Sequence, residues 1–138
     1  MAIRIVNPPE APTKPAQKQA AKCGCIFKLM EAQQSLRLQH WLTFSHAEHM
    51  ALGGAYEGLD GLIDTFVETA VGAKGRGILS PNTTLTVGGD ASKILSTLEG
   101  VLRNEIPSDI GENETSLMNI RDEMLALVQK TRYLLTQK

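Results

Sequence analysis

Proline placement constrains this chain more than any other feature. Pro8, Pro9, Pro12 and Pro15 crowd the amino terminus, and only Pro81 and Pro107 follow. Each interior proline removes a helical hydrogen bond and clashes with the turn before it. Residues 1–21 therefore read as an extended or disordered arm, and 22–138 as one domain in which long helices can run. Aromatic residues make up 4% of the chain, and the β-branched runs that sandwiches and barrels need are nearly absent. At 138 residues one core fits and two do not. The expected class is all-α.

Four helices follow from caps and periodicity, at about 22–43, 46–73, 91–105 and 114–136. Phe27, Met30, Leu38 and Trp41 recur at helical spacing in the first. Ser45-His46-Ala47-Glu48 has the form of a capping box and opens the second, which reaches about 42 Å before the glycines at 72, 75 and 77 stop it. Asp90 caps the third, with Ile94, Leu95, Leu98, Val101 and Leu102 on one side and Pro107 just beyond its end. Leu117, Ile120, Met124, Leu127, Thr131 and Leu134 form the buried seam of the fourth. The segment from Lys74 to Gly89, with a β-like run at Thr83 to Val87, reaches about 53 Å if extended. That length can cross a bundle and return to its starting end, so the expected topology is ferritin-like: two short-loop hairpins joined by a long crossover.

The net charge of -1 is unevenly spread. Across residues 1–22, Arg4, Lys14, Lys18 and Lys22 face a single acid, Glu10, while the rest of the chain is acidic. The arm can therefore make weak, salt-sensitive, sequence-independent contact with DNA phosphates, or act as a solubilising tail. Cys23 and Cys25 are too close for an easy unstrained disulfide and lack a second ligand pair for zinc, so two free thiols in a reducing compartment are expected. No apolar run approaches the roughly 18 residues of a membrane span, and no signal peptide is seen. The expected location is cytoplasmic, or a virion packaged from the cytosol.

Metal-binding residue types cluster in one segment. All three histidines, His40, His46 and His49, lie there, followed by Glu57, Asp60, Asp64 and Glu68. Imidazole and carboxylate together suit ferrous iron. Asp64 and Glu68 share a helix face one turn apart, but His49 lies about 22 Å from Asp64 along a straight helix. One subunit cannot close that site. An antiparallel copy of the second helix, crossing near Glu57 on a two-fold axis, would bring His49 of one chain beside Asp64 and Glu68 of the other. Gly54, Gly58 and Gly61 form a small-residue strip at that axis, each costing about 1 kcal/mol against Ala in a helix.

With these residues in view, the stretch from Leu38 to Gly75 resembles the Dps family of ferritin-like mini-cages, which bind DNA in starved bacteria. His40-Trp41 matches its His-Trp pair, His49 its second histidine, and the segment from Ile63 to Val71 its Asp-x-x-x-Glu region. Gly53 stands where the family carries an acid, and the link between the first two helices is shorter than usual. The resemblance implies an iron site shared between subunits, with His40, His49, Asp64 and Glu68 as ligands, and ferroxidase activity as the enzyme function. Compact chains of this kind also resemble uncharacterised open reading frames of tailed phages, which implies a structural or packaging role with virion proteins as partners. Two functions follow. One is an iron-binding homo-oligomer that associates weakly with DNA; the other is a non-catalytic assembly or interaction module on the same bundle.

Overall fold

A computed structural model describes residues 23–137. The arm, with Arg4, Lys14, Lys18 and Lys22, lies outside the described residues. Helices α1 (Gly24–Leu42), α2 (His46–Lys74), α3 (Ala91–Gly100), α4 (Ile106–Ile110) and α5 (Thr115–Leu135) make up the fold, with no strand among the described residues. The chain is an all-helical, four-helix protein, since α4 continues the line of α3 through a π turn at Val101–Glu105.

Antiparallel neighbours surround one core. The Cys23 N–H donates to the Ile78 carbonyl just beyond α2 at 3.1 Å, so α1 begins where α2 ends. Lys74 at the end of α2 pairs with Glu114 ahead of α5. Arg132, late in α5, reaches Glu99 and Ser96 of α3, and Lys28 of α1 pairs with Glu105 below α3. The principal packing runs α1 on α2, α2 on α5, α5 on α3 and α3 on α1. It follows that α2 and α3 point the same way. Phe66, Leu29, Leu36, Leu52, Leu59, Leu98 and Leu117 are fully buried in the middle, each contributing about 1.5–3 kcal/mol by leaving water.

The crossover from Gly75 to Asp90 is pinned by side chains of α1. The Thr86 N–H donates to Glu31 Oε1 at 2.9 Å, and the Gly88 N–H donates to Ser35 Oγ at 3.0 Å. These acceptors replace the strand partner that the Thr83–Val87 run lacks. Gly88 and Gly89 have φ of 140° and 103°, a region that favours glycine, and they turn the chain into Asp90, whose carboxylate caps α3 at 2.9 Å from the Lys93 nitrogen.

Two expectations need correction. The helix does not stop before Pro107 but continues to Ile110. In the π turn the Ile106 N–H donates back to Val101, and Pro107, with no N–H, would be the next donor, to Leu102. That orphaned carbonyl accepts instead from Arg121 Nη1 of α5 at 3.1 Å. The buried face of α1 is also rotated. It consists of Cys25, Ile26, Leu29, Ala32, Ser35 and Leu36, while Trp41 is 64% exposed. Helical spacing identified the period but not the face, because Phe27, Met30 and Leu38 lie beside the true stripe.

Candidate functional site

The α1–α2 corner brings the histidines together. Ser45 Oγ accepts from the Glu48 N–H at 3.2 Å, as the capping box predicts. The reciprocal half differs, for the Ser45 N–H donates to Thr43 Oγ1. This closed turn sets the last turn of α1 against the first of α2. There the His40 Nδ1–H donates to the His49 carbonyl at 2.6 Å, and the His49 Nδ1–H donates to the His40 carbonyl at 2.8 Å. A carbonyl only accepts, so each Nδ1 acts as the donor, the tautomer in which Nε2 is the atom with a lone pair to offer a ligand. The rings stack with centroids 3.7 Å apart. His40 lies in the final turn of α1, whose carbonyls lack helical donors, and His49 supplies one. Phe44 is fully exposed, so no hydrophobic staple forms between it and His49. His46 stays on the exposed first turn.

Gly53 has a local reason. A Cβ there would lie 3.0 Å from His40 Cε1 and 3.2 Å from its Nδ1. The imidazole ring packs against this position, and any side chain at residue 53 would require the His40 ring to shift by a few tenths of an ångström. Tyr56 meets the His40 ring edge-on at 5.3 Å, and the Arg37 guanidinium lies 5.3 Å from both the Tyr56 and Trp41 rings.

The carboxylates do not join the histidines within one chain. Asp64 and Glu68 are exposed along α2, and neither has an ion-pair partner among the described residues. Asp60 is tied to α1, accepting from Gln33 Nε2 at 2.8 Å. The small-residue strip is divided. Among the described residues a Cβ on Gly54 or Gly61 would meet nothing within 4 Å, whereas one on Gly58 would lie 2.9 Å from Leu127 Cδ2. At about 100° per residue, Gly58 is turned some 60° from Gly61, enough to face α5 instead of the outside. Glu57 remains exposed beside Gly54 and Gly61.

A second cluster lies at the opposite end of α1. Cys23 and Cys25 are joined by a disulfide with Cα atoms 5.1 Å apart, within the span such a bond accepts. The expectation of two free thiols is therefore corrected. Cys23 is extended while Cys25 is already helical, and this change of backbone brings alternate side chains to one side. Asp109 of α4 adds a carboxylate oxygen 3.9 Å from Cys23 Sγ. The sequence carried the Cys-Gly-Cys spacing but no sign of Asp109, which is 86 residues away. A separate cleft of about 480 Å³ opens between α1, the crossover and α3, with Lys28, Glu31, Lys93 and Glu105 among its lining residues.

Fold and site thus define a helical-bundle protein with a histidine-locked corner and an acidic outer face on its longest helix. Residues 40–135 match the sequence profile of the Family of unknown function (DUF5856), and over that span, well over half of its length, the chain belongs to the family. The match takes in His40, His49, Asp64 and Glu68 but not the two cysteines. No curated protein and no solved structure matches the chain. No helix among the described residues is long and apolar enough to cross a membrane.

Proposed function

We propose that this chain is a ferritin-like, Dps-type protein that binds iron as a homo-oligomer, with His40 and His49 of one copy and Asp64 and Glu68 of another sharing each site. The observation that carries this reading is the reciprocal hydrogen bonding of the histidine pair through Nδ1. Metal-ligating histidines as a rule donate their other ring N–H to a carbonyl or carboxylate, and both rings here do so, keeping Nε2 for a ligand. The open faces of Gly54 and Gly61 give a second α2, running antiparallel on a two-fold axis, room to approach. The order α1–α2–α5–α3 around the core, with parallel α2 and α3 joined by the crossover, supports the ferritin-like assignment. Ferrous iron is then the substrate, losing one electron per ion to dioxygen. Arg4, Lys14, Lys18 and Lys22 of the arm supply a weak, non-specific DNA contact.

Iron content and assembly mass measured on the same purified sample test the proposal. Asp64→Asn with Glu68→Gln should abolish iron retention and leave helicity intact, since both swaps keep shape and nearly keep propensity. A wild-type assembly that holds no iron at micromolar concentrations would overturn it. The second reading, a non-catalytic assembly, virion or interaction module, then takes its place. It is favoured by the apolar surface at the α1–α2 corner, where Trp41, Leu42, Phe44 and Met50 are all exposed.

A further inference from the structure

We propose that Cys23, Cys25 and Asp109 form a binding site for a zinc-class divalent metal ion, available when the cysteines are reduced and blocked when they are joined. The site is separate from the shared iron site and does not depend on it.

The three residues place one ligand atom each within 4.8 Å of one another. Two sulfurs and one oxygen suit a borderline-soft ion such as Zn²⁺, which takes thiolate and carboxylate together, better than Cu(I), which favours sulfur alone. Cα atoms 5.1 Å apart allow the side chains either to bond or to rotate outward and chelate. The Asp109 contact separates these states. While the sulfurs are joined, Cys23 Sγ has no hydrogen to offer the carboxylate 3.9 Å away. In the dithiol it donates an S–H there, and with metal bound the carboxylate becomes the third ligand. Asp109 is exposed and gives an ion an entry path and a solvent molecule the fourth position. Cys23 and Cys25 are 1% and 0% exposed, so a protein disulfide substrate is excluded, and an ion or a small dithiol has to arrive on the Asp109 side. Cys25 sits in the first turn of α1, whose positive end offsets the charge of three anionic ligands.

The conversion balances as thiol–disulfide exchange. An external dithiol supplies two electrons and two protons, becomes a cyclic disulfide, and leaves Cys23 and Cys25 as thiols. Metal binding then releases those two protons as both thiolates coordinate.

Co²⁺ is the probe, added to the full chain purified with and without a dithiol. The reduced protein should develop sulfur-to-cobalt charge-transfer absorption that saturates at one equivalent and is erased by Zn²⁺. The oxidised protein should show none. Cys23→Ser and Cys25→Ser should each remove most of the band, while Asp109→Asn, an exposed change that leaves the fold alone, should weaken affinity by at least about tenfold. Zn²⁺ should raise the melting temperature of the reduced wild type and raise that of Asp109→Asn less, a readout independent of the cysteine variants' folding. Asp64→Asn with Glu68→Gln should leave the band unchanged, so failure here and failure of the shared iron site are distinguishable. No charge-transfer band in the reduced protein, an equal band in the oxidised one, or unchanged affinity in Asp109→Asn would each overturn the proposal.

Discussion

Glycine positions in α2 are fixed by different neighbours, and one substitution chemistry therefore gives different outcomes. Gly53→Ala gains about 1 kcal/mol of helix propensity but drives a methyl into the His40 ring, which its bond to His49 and the ring stack hold in place. Overpacking of that kind costs about 1–3 kcal/mol, so the net expectation is a loss. Urea denaturation should show Gly53→Ala destabilised in the wild-type background and neutral or stabilising once His40 is Ala, a coupling measured by the double-mutant cycle. Gly58→Ala meets only the flexible end of Leu127 and should be close to neutral. Glu99 provides the pH-dependent contact. Hydrogen bonds from Arg103 first, and then Arg132, hold its carboxyl below the ordinary value of 4.5. A lowered folded value means the contact stabilises above the unfolded pKa and is lost as pH falls through the folded one. The melting temperature of Glu99→Gln should lie below that of wild type at neutral pH, and the gap should close in acid.

Among the elements, the α3–α4 segment departs most from what spacing alone predicts. Pro107 looks like a stop because the helix period requires a donor there. The π turn shifts that deficit to Leu102, and Arg121 on α5 fills it. Arg121→Met should therefore cost about 1.5–3 kcal/mol, the value of a hydrogen bond from a charged donor, here part-buried, despite the modest worth of its pair with Asp122. Equilibrium unfolding checks the size of the loss. Adding Pro107→Ala to Arg121→Met should recover part of it, since the new N–H gives the segment a regular helical alternative.

At the scale of the molecule, the outer face of α2 carries the association test. Gly54→Ala with Gly61→Ala should stabilise an isolated chain, by up to about 1 kcal/mol per site, because none of the described residues opposes either methyl. If α2 faces pack closely across a two-fold axis, the same pair should weaken self-association, read as a smaller mass by sedimentation at fixed concentration. Gain of stability with unchanged mass would place the contact between copies elsewhere, for example at the exposed Trp41, Leu42, Phe44 and Met50 corner.

The division between sequence and tertiary structure follows the range of the forces involved. Helix number, the Ser45 and Asp90 caps, the buried stripe of α3 and the long crossover were legible because capping and periodicity act within a few residues. Neither the true face of α1 nor the exposure of Trp41 was legible, since a stripe's orientation depends on what packs against it. Gly53 appeared as a missing ligand and is in fact the space for a ring 13 positions earlier in the chain. Gly58 appeared to belong with Gly54 and Gly61 until Leu127 of α5 claimed it. Asp109 beside Cys23 had no sequence signal, because only the packing of α4 against the start of α1 makes residues 86 apart neighbours. Local sequence chose the elements; which side chains share a site was decided where separate helices meet, by volume and by the need of each buried polar group for a partner.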